Sequence, residues 1–241
     1  MPTHRNGGAL ERERMTSLLS AEDEQVRGAL TRAIAELGHA PTPEALARSM
    51  GCNLAALEAH LRRLADAHAL LLHPNSTRPW VVHPFALAPG SCWVRTPRRG
   101  YWANCLYCAF GIAAALDSHA VITTRYGGEE EAPQYEVRRG IGVASASSDV
   151  FHLSTPPAQW WDNVIFACSS FQSFRSEQDV DRWCGDHKFP RGATMSIAQL
   201  WDFAKDWYGT YLSEPWQKRT KSEVSALFAK HGFTGDFWEI V

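Results

Sequence analysis

Apolar residues in the first third of the chain recur at helical spacing. Within residues 21–37, Val26, Leu30 and Ile34 follow one another at intervals of four residues, which places them on one face of a helix. An acidic run at 22–24 precedes them, and negative charge suits a helix N-terminus. The pattern predicts an amphipathic helix over residues 21–37.

Two short helices and a hairpin are predicted next. Thr42 can cap a helix whose first residue is Pro43, and Asn53 can cap a second helix. The apolar runs at 70–72 and 80–82 flank a turn-forming Pro-Asn-Ser sequence, which is the pattern of a β-hairpin. One helix, a helix pair and a hairpin follow one another in the order of a winged helix.

The chain therefore divides into three predicted parts. Residues 1–20 mix charged residues with a Gly-Gly pair and are interpreted as a flexible arm. Residues 21–85 are predicted to form a winged-helix-like helical domain. Residues 86–241 alternate short apolar runs with helical stretches, so the fold class is predicted to be α+β.

The second domain is expected to contain several short strands and helices. The predicted strands are residues 92–94, 120–123, 135–137, 150–153 and 163–166. The predicted helices are residues 105–116, 177–184, 196–211 and 222–231.

Charge changes what a winged helix would be expected to bind. The chain has 24 Lys and Arg against 26 Asp and Glu, for a formal net charge of −2, whereas binding to phosphate backbones usually needs a basic excess. The helix that begins at Asn53 carries Arg62 and Arg63 late, and base-reading residues normally lie early. We expect no nucleic-acid partner.

Neither a membrane segment nor an export signal is predicted. No apolar run reaches the 18 or so residues of a membrane span, and residues 1–20 lack the apolar core of a signal peptide. We expect a cytoplasmic protein with no membrane partner, in which the 6 cysteines stay reduced.

Two cysteines at the start of one helix are the first chemical signal. Asn104 is a good N-cap residue, which would make Cys105 the first helical residue and Cys108 the fourth. The spacing places both thiols on one face. The positive end of the helix is expected to lower the pKa of Cys105, which makes this residue a candidate nucleophile or soft-metal ligand.

Other partners for these thiols are weaker candidates. A structural zinc site would have to be completed by Cys184 and His187. His152 is the histidine that we would test as the base of a Cys–His pair. Cys168 follows the strand predicted at 163–166, whose end could present it to a cleft.

Three segments together resemble the organomercurial (alkylmercury) lyases. They are Tyr101-Trp102-Ala103-Asn104-Cys105, the run from Trp160-Trp161 to Cys168, and Ser173-Phe174-Arg175-Ser176 with Trp183. The resemblance covers roughly residues 20–212. It implies an N-terminal helical domain packed on a small mixed-sheet catalytic domain, an active site of two cysteines and an aspartate, and no cofactor.

The resemblance also implies roles for individual residues. Cys105 matches the family's first catalytic cysteine and Cys168 matches its second, while Cys108 stands where the family has its catalytic aspartate. The implied activity is protonolysis of a carbon–mercury bond in a small organomercurial substrate. Soft thiolates suit mercury, and the carbon needs a proton donor, so Cys108 would have to supply that proton.

Two other functions remain open. Cys105, Cys108 and Cys168 could hold a soft metal ion such as Hg(II), Cu(I) or Zn(II) without breaking any bond. The fold could also have been recruited to another small molecule, with a cysteine nucleophile. Whether the enzyme is a lyase or acts on another small molecule, the residues predicted to wall its pocket are Tyr101, Trp102, Trp160 and Trp161. The sequence has no signature of oligomeric state.

Overall fold

The computed structural model describes residues 19–127, 131–143 and 148–240. The arm predicted at 1–20 therefore lies outside the described residues, apart from its last two. Within the described part, no helix is both long enough and apolar enough to cross a membrane.

The three helices predicted near the N-terminus are confirmed. They are α1 (Ala21–Leu37), α2 (Pro43–Met50) and α3 (Leu54–Asp66). Each begins where a short polar side chain accepts a hydrogen bond from a backbone amide of the first turn, with Ser20, Thr42 and Asn53 as the caps.

An eight-stranded antiparallel sheet follows, in the order β1-β2-β3-β5-β4-β6-β7-β8. Its strands are β1 (Leu71–Leu72), β2 (Pro79–Val82), β3 (Phe85–Ala86), β4 (Cys92–Arg95), β5 (Gly100–Ala103), β6 (Ala120–Thr123), β7 (Gln134–Arg138) and β8 (Gly142–Val143). The predicted hairpin is β1 with β2. Ala86 of β3 pairs with Trp102 of β5, so the sheet continues across residue 85, and the domain division stays a prediction.

A second, three-stranded antiparallel sheet packs with the remaining helices, which confirms the α+β class. Its strands are β9 (Val150–Leu153), β10 (Gln172–Phe174) and β11 (Ala193–Ser196), with β9 in the centre. The helices are α4 (Leu106–Ala115), α5 (Val164–Ser170), α6 (Glu177–His187), α7 (Ile197–Tyr208) and α8 (Lys221–Lys230).

Helix α4 lies at the centre of the core, and every one of its residues is buried. It packs between the large sheet and α7. A Cβ atom on Gly111 would lie 2.4 Å from Cδ2 of Tyr208, so the absence of a side chain lets α4 and α7 approach closely. This contact fixes the helix that carries the first two candidate thiols.

The strand predicted at 163–166 is wrong. These residues form the start of α5, because the Asn163 side chain accepts a hydrogen bond from the amide of Phe166 at 3.0 Å and caps a helix. An apolar run of four residues fits a strand or a helix start equally well, and here the cap decides. Cys168 therefore lies within a helix.

Candidate functional site

The structure brings the three predicted thiols together. Cys105 is the N-cap residue of α4, Cys108 lies in the first turn of that helix, and Cys168 lies on α5. The Cys105 thiol donates a hydrogen bond to Cys108 Sγ at 3.6 Å. The Cys108 and Cys168 sulfur atoms lie within 4.8 Å of each other, and Cys168 also interacts electrostatically with Cys105. Three sulfur atoms thus face one another across two helices.

The helix begins one residue later than predicted. Cys105 has extended backbone angles, with φ −154° and ψ 172°, so it is the cap residue, and its side chain makes no capping hydrogen bond. Asn104, the predicted cap, uses its carbonyl to accept a hydrogen bond from Ser91 Oγ at 2.6 Å. Cys108 is consequently the third helical residue.

The prediction of a lowered pKa at Cys105 is wrong. Burial raises the pKa of this thiol well above its usual value, because an enclosed site disfavours the charged thiolate more than the helix end favours it. Contact with Cys105 raises the pKa of Cys168 in the same direction. The hydrogen bond from Cys105 lowers the pKa of Cys108. Contact with Cys168 and burial raise this pKa by more, so it lies well above its usual value. The raised pKa values of Cys105, Cys108 and Cys168 favour the neutral thiols at pH 7.

A histidine that the sequence analysis did not identify lies beside the thiols. His83 Nε2 is 3.9 Å from Cys168 Sγ, and the ligand atoms of His83, Cys108 and Cys168 all lie within 4.8 Å of one another. Burial and the nearby Arg27 lower the pKa of His83 to about 4, so the imidazole is neutral at pH 7. Nitrogen and sulfur ligands in this number suit a soft or borderline metal ion.

The other predicted partners of the thiols lie elsewhere. His152 Nε2 is 3.7 Å from Cys184 Sγ and 2.8 Å from the carbonyl oxygen of Arg191. His187 packs against Trp183, with 4.9 Å between ring centroids. The described residues thus place His83, and neither His152 nor His187, in the metal-ligand group with Cys108 and Cys168.

A cavity of about 260 Å³ opens beside the thiols, and Cys108 and Cys168 line it. Trp160 and Trp161 form part of its aromatic wall. The Trp160 Nε1–H donates to the carbonyl of Thr155 at 2.8 Å, and Trp161 lies edge-on to His83, with 5.6 Å between ring centroids. These two predicted wall residues therefore lie at the thiol site.

Tyr101 and Trp102 do not line this cavity. They border a separate one of about 170 Å³. The Tyr101 hydroxyl donates to the carbonyl of Ala35 at 2.6 Å and so ties α1 to the large sheet. Trp102 packs on Trp93, with ring centroids 4.6 Å apart. Side chains alternate along a strand, but alternation does not reveal which face meets which cavity.

Comparisons with known proteins relate this geometry to one family. Residues 85–209 match the family model MerB, alkylmercury lyase. No curated protein matches the chain. Among solved structures, the crystal structure of the mercury-bound form of MerB2 is similar, with a TM-score of 0.65 over 85% of this chain and 98% of that chain at 19% identity. At that identity the likeness establishes the fold.

Proposed function

Because this chain belongs to the alkylmercury lyase family, we propose that it cleaves the carbon–mercury bond of organomercurials at Cys105, Cys108 and Cys168. The observation that carries the proposal is the meeting of three thiols, two of which, Cys108 and Cys168, line an aromatic cavity. Thiolate sulfur binds mercury strongly, and a thiol can also supply a proton. One group of three cysteines thus offers both requirements of protonolysis.

The first step is exchange of the mercury ligand. An organomercurial R–Hg–X, in which X is a small thiolate, enters the cavity and meets Cys168, which lines it. A sulfur–mercury bond forms at Cys168, the Hg–X bond breaks, and the thiol proton leaves with X as HX. The neutral imidazole of His83, 3.9 Å from this sulfur, can carry the proton between them.

The second step is proton delivery to carbon. Cys108 lines the cavity and gives its thiol proton to the carbon atom, so the electron pair of the C–Hg bond becomes the new C–H bond and R–H leaves. Cys108 then takes the proton of Cys105, which already donates to it at 3.6 Å. The Cys105 sulfur replaces carbon on mercury, and Hg(II) ends bound to Cys105 and Cys168.

The experiment that tests this function measures the hydrocarbon. Fully reduced protein is incubated with phenylmercury and excess 2-mercaptoethanol, and benzene is quantified by gas chromatography. We expect benzene from the wild type and from Cys52→Ala, which removes a thiol outside the site, and none from Cys168→Ala. Benzene from Cys108→Asp but none from the wild type would contradict the proposal, because it would show that the fold supports cleavage only with an aspartate at position 108.

The second candidate function is soft-metal binding without bond cleavage. It is favoured by the group of His83, Cys108 and Cys168, whose ligand atoms lie within 4.8 Å of one another. A binding protein would hold Hg(II) or Cu(I) tightly against excess thiol and release no benzene. The gas-chromatography assay, run beside a metal-retention assay, therefore separates the two functions.

A further inference from the structure

The wall of the thiol cavity carries several cations. Among the described residues that line it there is no Asp and no Glu. The cationic side chains in the wall are Arg27, Lys218, Arg219 and Lys221. The remaining lining is largely aromatic, so a cation here is poorly solvated and is stabilised by a nearby negative charge.

Arg27 is the most deeply buried of these cations, with 1% of its surface exposed. Its guanidinium donates to the carbonyls of Ala69 at 2.9 Å and His83 at 2.6 Å, and to the Thr31 hydroxyl. All three acceptors are neutral. Buried charges are normally paired, yet no carboxylate among the described residues forms an ion pair with Arg27.

Lys218 extends the same pattern. It is half-buried, and its ammonium donates to the carbonyl oxygen of Ala67. The carboxylate of Glu24 accepts a hydrogen bond from the backbone amide of Lys218 at 3.3 Å rather than from its ammonium. Two cations of one cavity are thus held by neutral backbone oxygens.

A hydrogen-bond donor without an acceptor lies beside Arg27. Trp216 Nε1 is buried and has no partner among the described residues, and Trp216 lines the cavity with 8% of its surface exposed. The Arg27 guanidinium carbon lies 5.0 Å from the centroid of the Trp216 ring. Buried donors are nearly always satisfied, so an indole N–H without an acceptor beside a buried guanidinium marks a place in this wall where an anionic oxygen would be stabilised.

His83 connects this cationic region to the thiols. The carbonyl of His83 accepts from Arg27, and the imidazole of the same residue contacts Cys168. An apolar cavity of about 150 Å³ already holds benzene, and this cavity has about 260 Å³. The space therefore takes an aromatic ring together with a polar substituent.

We infer that the cavity binds arylmercurials that carry a carboxylate on the organic group, with mercury at the thiols and the carboxylate at Arg27, Trp216 and Lys218. The inference rests on the proposed function and names its substrate class. The aromatic walls hold the ring, the two cations offset the negative charge, and the Trp216 N–H donates to a carboxylate oxygen. Charge-assisted hydrogen bonds of this kind are stronger than neutral ones.

The kinetic test compares phenylmercury with 4-carboxyphenylmercury, both carried by 2-mercaptoethanol, which has no carboxylate. We expect kcat/KM to be at least about tenfold higher for the carboxylated substrate, as one charge-assisted contact implies. Lys218→Met and Trp216→Phe should bring the ratio close to one, whereas Lys205→Met and Trp93→Phe, outside this cavity, should not change it. If the wild type gave equal kcat/KM values for phenylmercury and 4-carboxyphenylmercury, the inference would be overturned.

A binding test separates the subsite from the cleavage reaction. Benzoate, which contains no mercury, should bind to the wild type in NMR titrations and lose affinity in Lys218→Met, while neutral benzamide should bind weakly to both proteins. Benzoate binding without any benzene release would retain the subsite and refute the lyase. Benzene release with no preference for benzoate over benzamide would retain the lyase and refute the subsite.

A third arm identifies which carboxylate is recognised. Phenylmercury is carried either by 3-mercaptopropionate or by 2-mercaptoethanol, so that the carboxylate belongs to the carrier thiol alone. We expect the two carriers to give the same kcat/KM. A preference seen solely with the carboxylated carrier would overturn the assignment of the subsite to the organic group.

Discussion

The Sγ atoms of Cys105 and Cys108 lie 3.6 Å apart, and of the two residues Cys108 lines the cavity. Cys105 is completely buried behind it. A substrate therefore reaches Cys108 and Cys168 before Cys105. This order supports a scheme in which Cys108 gives the proton to carbon and Cys105 supplies a replacement proton.

Removing the proton donor should separate mercury binding from cleavage. Cys108→Ala leaves Cys105 and Cys168 to hold mercury, so we expect the protein to retain Hg(II) while kcat for benzene release falls by about 10²-fold or more, the usual contribution of a positioned proton donor. Gas chromatography and a mercury-retention assay measure the two quantities. An unchanged kcat in Cys108→Ala would refute the assignment.

Replacing His83 should weaken mercury retention. Its Nε2 atom lies 3.9 Å from Cys168 Sγ, so His83→Asn removes a candidate nitrogen ligand. We expect the variant to lose Hg(II) to competing dithiothreitol about tenfold more readily, as loss of a ligand or its support commonly causes. His73→Asn, at an exposed residue stacked on Trp80, is the control, and equal retention by both variants would contradict this role.

A buried carboxylate should make the N-terminal helices sensitive to acid. Burial by itself would raise the pKa of Asp23. Hydrogen bonds from Arg63, the Ser20 amide and His60 outweigh burial and lower this pKa to about 2. The unfolded value is about 3.9, so the stabilisation is complete above about pH 5 and is lost progressively as the pH falls towards 2. It amounts to about 2 kcal/mol at pH 7.

The test of this effect is chemical denaturation between pH 2 and pH 7. Asp23→Asn should lower the free energy of unfolding at pH 7 by about 2 kcal/mol and flatten its dependence on pH below 4. Asp186→Asn, at an exposed position on α6, should behave like the wild type. Identical acid profiles for Asp23→Asn and the wild type would rule out this contribution.

Two glycines on helices should respond in opposite ways to the same substitution. Gly111→Ala places a Cβ atom 2.4 Å from Tyr208, so we expect a loss of about 1–3 kcal/mol of stability from overpacking. Gly185→Ala meets nothing within 4 Å and should gain up to about 1 kcal/mol from helix propensity. Thermal unfolding measures both, and a neutral Gly111→Ala would show that α4 and α7 can separate without cost.

Local signals in the sequence predicted the elements well where the cause of the structure is itself local. Thr42 and Asn53 cap the helices as predicted, because a cap satisfies amides within three residues. The cap at Asn163 is equally local, but the apolar run that follows it fits a strand as well as a helix start, so the strand predicted there is wrong.

The site depends on contacts that no local pattern contains. His83 meets Cys168 across 85 positions of the chain, and no local motif marks a lone histidine beside a proline. Arg27 looks like an ordinary charged residue of an amphipathic helix until the fold encloses it. Tyr101 and Trp102 show the converse, because adjacency to Cys105 in sequence did not bring them to its cavity.

The cavity draws its walls from distant parts of the chain, with Arg27 and His83 from one end and residues such as Trp216 and Ile240 from the other. During synthesis Cys108 and Cys168 emerge well before the last of these residues. The enclosure of the thiols therefore depends on these later wall residues, and removal of residues 216–240 should open the cavity and weaken the burial that raises the pKa of Cys108 and Cys168.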